Sequence, residues 1–168
     1  KEFHALVKAE VWDIGSATSR FELLAKKRKH GNDQINIAKI FPIVVLKGSE
    51  LPVGDPMRKY KGRIVFMGND VVDQYGDVAL FQDMASSPAP LEASKVVDCH
   101  GCLRGHVCQQ ADAQQAYIQA ELDGDETWIM IPEEMWLDEW KASGLYSKAN
   151  PPCCRLKKAL YGHPKSGK

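Results

Sequence analysis

Two β-rich runs flank a stretch crowded with glycine, proline and aspartate, and this pattern restricts the fold more than any other feature of the chain. Ile35 and Ile37 alternate with polar residues. Ile40 to Leu46 continues the extended pattern, with Pro42 marking an edge position or a break. Gly48 to Lys59 is turn chemistry, and Arg63 to Met67 reads as another strand. Pairing the two runs predicts an antiparallel hairpin with a long loop. The expected class is α+β, an antiparallel sheet with packed helices.

Helical patterns surround this hairpin. Phe3, Leu6, Val7 and Val11 follow helical spacing, which predicts an amphipathic helix from Lys1 to about Trp12, ended by Gly15-Ser16. Ser19-Arg20-Phe21-Glu22 has the form of a capping box and opens a second helix that closes at Gly31. Its basic run Lys26-Lys27-Arg28-Lys29 could be a nuclear-import signal or a phosphate contact; the plainer reading is that cations in a last turn complement the helix dipole. Pro88 and Pro90 precede an expected helix from Leu91 to about Leu103. Thr127 to Ile131 reads as a strand, Glu133 to Ala142 as a short helix, and Pro151-Pro152 as the end of a linker.

Composition excludes little. The 168 residues suffice for one domain with a core, and 44% hydrophobic with 26% charged residues is ordinary. The net charge of zero argues against chain-wide attraction to nucleic acid and leaves local basic patches possible. No run reaches the ~20 apolar residues of a membrane helix, and the start lacks a signal peptide's apolar core. We expect an intracellular chain, cytoplasmic or nuclear, with no membrane partner. It begins with Lys1 rather than Met and is read as a fragment of a longer product. Five cysteines form no even disulfide framework and are expected to stay thiols.

The stretch Gln109 to Leu122 holds one acid, Asp112, among small and uncharged neighbours. A carboxylate at a strand-to-turn junction can hold Mg²⁺, which takes only one or two protein carboxylates; by spacing alone, a solvated helix cap near Ala113 is the commoner arrangement. Lys61 and Arg63 are two apart on a strand and point the same way, as a pair gripping a triphosphate would, or as a solvated strand face does. Cys99-His100-Gly101-Cys102, with His106 and Cys108 nearby, suggests zinc, but the only distant thiols, Cys153 and Cys154, are adjacent and do not form a second ligand cluster, so buried thiols packing a core are the favoured reading of the Cys99 to Cys108 cluster. Glu121 to Trp140 contains eight acids and no Lys or Arg, and reads as a turn and a solvated face.

The order of segments resembles the reverse transcriptase of Ty1/copia-type retrotransposons. Gln110, Asp112, Ala116, Tyr117 and Leu122 match that family's catalytic-core segment. Tyr60-Lys61-Gly62-Arg63-Ile64-Val65-Phe66-Met67-Gly68 resembles its Tyr-Lys-Ala-Arg-Leu-Val-Ala-x-Gly, and Cys154 to Gly162 resembles its Cys-Arg-Leu-Lys-Lys-Ala-Leu-Tyr-Gly. Tyr-Gly-His-Pro and Lys47 to Pro52 look most like the divergent copies in dinoflagellate genomes.

The resemblance implies a single incomplete domain, fingers over about 1–105 and the start of a palm over about 106–168. It implies RNA-directed DNA polymerase activity in the complete enzyme, with template-primer RNA or DNA, deoxynucleoside triphosphates and the rest of the Pol polyprotein as partners. By resemblance, Asp112 is catalytic and a Mg²⁺ ligand, Lys61, Arg63 and Tyr117 bind the nucleotide, and Tyr161 and Gly162 belong to a template-side palm motif. Tyr117 would pack under the sugar and exclude a 2′-hydroxyl. Family members carry two further aspartates in a Tyr-x-Asp-Asp hairpin, and this chain contains no Asp-Asp pair; Ala113 and Gln114 replace Val-Lys, and His163-Pro164 replaces Leu-Lys. A catalytically dead remnant that binds nucleic acid or protein, and a small zinc-binding module, are the alternatives.

Overall fold

The computed structural model describes residues 2–30, 34–79, 89–111, 116–119 and 121–166. Five strands form one sheet in the order β1-β5-β4-β2-β3, with β1 at Trp12–Ser19, β2 at Ile35–Lys47, β3 at Lys59–Phe66, β4 at Glu126–Met130 and β5 at Pro152–Leu156. The α-helices are α1 (Glu2–Lys8), α2 (Arg20–His30), α3 (Leu91–Gly101) and α4 (Asp138–Ser143). The sheet is mixed and not antiparallel throughout, because β2 and β4 pair in parallel from Ile35↔Glu126 to Lys39↔Met130. The long connection between those two strands is what permits parallel pairing.

The expected hairpin is present, with β2 and β3 in antiparallel register from Ile40↔Phe66 to Lys47↔Lys59. Pro42 does not break β2, and the reason lies in the ladder. Ile37 exchanges both of its backbone hydrogen bonds with Val72, on the β3 side, so alternate residues Ile40, Pro42, Val44 and Leu46 direct theirs to the other side. There β4 has already ended, and the donor that proline lacks has no ladder partner to lose among the described residues.

The first helix is shorter than its periodicity predicts. Val11 N–H donates to the Leu6 carbonyl at 3.1 Å and Glu10 N–H to that of Val7 at 3.0 Å, with Glu10 at φ 54°, so α1 closes in a Schellman turn. Trp12 therefore starts β1, and Gly15-Ser16 lies in an irregularity between Asp13 and Thr18, where the Ser16 hydroxyl donates to the Asp13 carbonyl (2.6 Å) and accepts from Arg155 N–H (2.9 Å). The second helix starts as expected, with Glu22 N–H donating to Ser19 Oγ at 3.2 Å. Pro151-Pro152 ends the connection from α4 as expected, and Pro152 is already the buried first residue of β5, a strand position that tolerates proline. The expected helix from Glu133 to Ala142 is divided into a 3-10 turn (Glu133–Met135) and α4 by the extended residues Trp136 and Leu137.

The larger core joins Leu6, Val11 and Trp12 to Ile40, Ile64, Phe66, Ile129, Ile131 and Leu160, and a smaller one joins Leu23 of α2 to Ile35, Ile37, Trp128 and Cys153. Cys153 and Cys154 are fully buried, and burial pushes both thiols up to about 12. Cys99, Cys102 and Cys108 are exposed and do not pack a core as expected, because α3 turns no face into one. A thiol reagent at pH 8 is therefore expected to modify these three in the native chain and to reach Cys153 and Cys154 only after unfolding, because the thiolate is the reacting form. Rapid modification of all five in native buffer would contradict the burial of β5. Helix α3 buries no residue. No described helix is long and apolar enough to cross a membrane.

Candidate functional site

Strand β3 is an outer strand of the sheet, and the chain after β5 returns to cover its end. Phe66 N–H donates to the Tyr161 carbonyl at 2.7 Å. The returning segment is held from behind, since Lys157 and Lys158 N–H both donate to the Val11 carbonyl and Lys158 Nζ donates to that of Ala9 at 2.7 Å. Gly162 has φ +84°, and a Cβ there would overlap the Phe66 carbonyl; a Cβ on Gly68 would overlap the Gly162 carbonyl. Each glycine belongs to one of the two quoted motifs, and their close approach requires both to lack a side chain.

His163 completes the junction. It is 3% exposed, and its ring lies 4.7 Å from that of Phe66. Its Nδ1 accepts from Lys165 N–H at 3.1 Å. Burial, reinforced by the Lys165 charge, lowers its pKa to about 4, so the imidazole is neutral at pH 7. The residue that departs from the family's Leu is thus a packing residue.

The Arg63 guanidinium lies over the Tyr161 ring, 5.3 Å from its centroid. The ring face attracts the cation electrostatically, and guanidinium N–H groups suit the oxygens of an anion. Lys61 shares the strand face with Arg63, as period two requires, and in the register Ile43 stands opposite Arg63, Val45 opposite Lys61 and Lys47 opposite Lys59. Neither Lys61 nor Arg63 pairs with a described carboxylate. A depression of about 460 Å³ borders both cations and is also lined by Glu2, Phe3, Tyr60 and Met135. Among the described residues the edge thus carries Lys61 and Arg63 without carboxylate partners, beside a depression lined by Glu2 and by apolar and aromatic side chains, and it suits binding and orienting an oxyanion.

No protein-family model, curated protein or solved structure matches the chain. Lys61, Arg63, Tyr161 and Gly162 come together at the β3 edge. Asp112 lies outside the described residues, as does the Tyr117 side chain, although the Tyr117 backbone belongs to a 3-10 turn at Ala116–Ile118 whose Ile118 is buried.

The remaining sequence candidates resolve differently. The basic run of α2 is engaged in structure: Lys26 with Glu22 at 2.7 Å, Lys27 with Glu126 at 2.7 Å, and Arg28 Nε with the Gln74 carbonyl at 2.9 Å. Glu126 is raised by burial, but bonds from Lys27 and Trp128 and the Arg155 charge outweigh this and hold it below the ordinary carboxylate value. At the end of α3, Cys108 folds back against Gly101 and its thiol meets the Val97 carbonyl at 3.7 Å, while the His100 and His106 rings meet edge-on at 4.4 Å. Among the described residues no group of three or more His, Cys, Asp or Glu could hold a metal ion. The roles of Phe66, Gly68 and His163 were not legible beforehand; Gly68 was visible only as a letter of its motif.

Proposed function

We propose that the chain is the fingers and the start of the palm of a Ty1/copia-type RNA-directed DNA polymerase, and that its β3 edge grips the triphosphate of an incoming deoxynucleotide. The observation that supports this reading most is the stacking of Arg63, from one family-like motif, on Tyr161, from another far away in sequence. Arg63 donates its fork to phosphate oxygens, and Lys61 adds a second charge on the same face. Tyr161 acts by offering its ring face to the Arg63 cation. The chemistry that Mg²⁺ supplies in such an enzyme is activation of the primer 3′-hydroxyl and stabilisation of the leaving pyrophosphate, with Asp112 as one of its carboxylates. The described residues alone do not form that metal site, and their share of the reaction is binding and orientation. The partners are the RNA or DNA template-primer, deoxynucleoside triphosphates and the remainder of the Pol polyprotein.

In an active enzyme carrying these motifs, Arg63→Ala is expected to raise the apparent KM for all four deoxynucleotides by about 10- to 100-fold, the loss of a charge-assisted hydrogen bond. A phosphate contact is blind to the base, so the four increases should match. Primer extension with each nucleotide measures this, and an unchanged KM would remove Arg63 from the site. Arg63→Lys should recover part of the loss, because the charge returns without the fork.

A further inference from the structure

A second cavity lies away from the β3 edge site, where the parallel strands part. Pairing between β2 and β4 stops at Lys39↔Met130; β2 goes on to pair with β3, while β4 turns off through Ile131 and Pro132. The divergence leaves a crevice of about 740 Å³ at the carboxyl ends of the two strands. Crevices at the carboxyl ends of parallel strands are where open sheets commonly take ligands, and the volume suits a small molecule. Phe41, Met130 and Trp136 give it apolar walls. Trp136 is held in place by its Nε1–H, which donates to the Ile131 carbonyl at 2.8 Å.

The charges in this crevice are unequal in kind. Lys39 is paired with Asp70 and Lys148 with Glu133, each at 3.1 Å, while Glu134 also borders the crevice and has no described cation partner. Arg20, the first residue of α2, also lines the crevice and has no described carboxylate partner. Its backbone N–H donates to the Pro151 carbonyl at 3.1 Å, which fixes the residue, and its side-chain Nε is buried with no acceptor among the described residues. A guanidinium in that condition gains most from an anionic oxygen.

We propose that this crevice binds a small organic anion, a carboxylate or phosphate carried on a flat apolar body, with the oxyanion on Arg20 and the body against Phe41, Met130 and Trp136. The inference does not depend on polymerase activity. Benzoate and phenyl phosphate are the probes, benzyl alcohol is the control with the same body and no charge, and sodium sulfate is the control with charge alone. Calorimetry on the whole chain should give one site for benzoate or phenyl phosphate, and whichever binds tighter identifies the head group. Arg20→Gln should weaken binding at least tenfold, Arg20→Lys should weaken it less, and both controls should bind at least tenfold more weakly than the better probe. Quenching of tryptophan fluorescence by the bound probe should be lost in Trp136→Phe, a readout that survives even if Arg20→Gln fails to fold. Absence of binding by both probes, equal binding to Arg20→Gln, or quenching unchanged in Trp136→Phe would each overturn the assignment.

Discussion

Gly162→Ala is expected to destabilise the chain by about 2–5 kcal/mol, from about 1–2 for a side chain in left-handed backbone and about 1–3 for overpacking. Two causes coincide at this position. The backbone has φ +84°, and a Cβ would overlap the Phe66 carbonyl, which is main chain and cannot rotate away. Gly76→Ala separates them, because Gly76 has φ +96° with nothing within 4 Å of a Cβ, and only the backbone cost should remain. Denaturant unfolding of the two variants measures the difference. Equal losses would mean that the segment after β5 does not press against β3, and the Arg63 to Tyr161 stack would lose its support.

Acid is expected to destabilise the fold through His163 before it does so through the carboxylates. In the unfolded chain this imidazole takes its proton near 6.5, whereas in the fold it does so only at about 4. The unfolded state therefore binds more protons between those values, and stability rises with pH across that window. Stability is complete above 6.5, falls as pH drops towards 4, and the total loss is about 3 kcal/mol at roughly 1.4 kcal/mol per pKa unit. Glu126 acts lower: its folded pKa lies below 4.5, so its contribution is present above that value and is lost beneath it. Urea unfolding of the parent and of His163→Phe, at intervals from pH 7.5 to 4, should show the slope between 6.5 and 4.5 in the parent alone, and the same slope in both would show that other groups cause it.

The fold was legible where its signals are local. Period two gave the β2–β3 hairpin and put Lys61 and Arg63 on one face, and Ser19 with Glu22 gave the start of α2. It was illegible where a distant partner decides. Trp12 to Ser19 contains glycine, serine and threonine and no alternating apolar run; it becomes a strand because β5 pairs with it and Ser16 bridges the irregular register. The helical spacing of Phe3, Leu6, Val7 and Val11 was real, but Val11 belongs to the turn that ends α1, and spacing does not reveal a left-handed Glu10. The parallel pairing of β2 with β4 and the crevice at its end depend on contacts that no window of sequence contains. At the candidate site the cations were visible as a pair, whereas their aromatic support was known only as a motif and the place of His163 only as a mismatch.

Pro42 has a consequence for the chain's encounters with other chains. Ile40 to Leu46 is rich in β-branched and aromatic residues, carries no charge, and has Val44 and Val45 at 66% and 52% exposure on a ribbon whose far side pairs with no described strand. Such a segment is a template for intermolecular sheet growth and cross-β assembly. A proline at its centre leaves one missing donor in every ladder that could form along that side, so an incoming strand loses register at the point of highest risk. The residue that costs the hairpin nothing internally is therefore its gatekeeper against fibre formation.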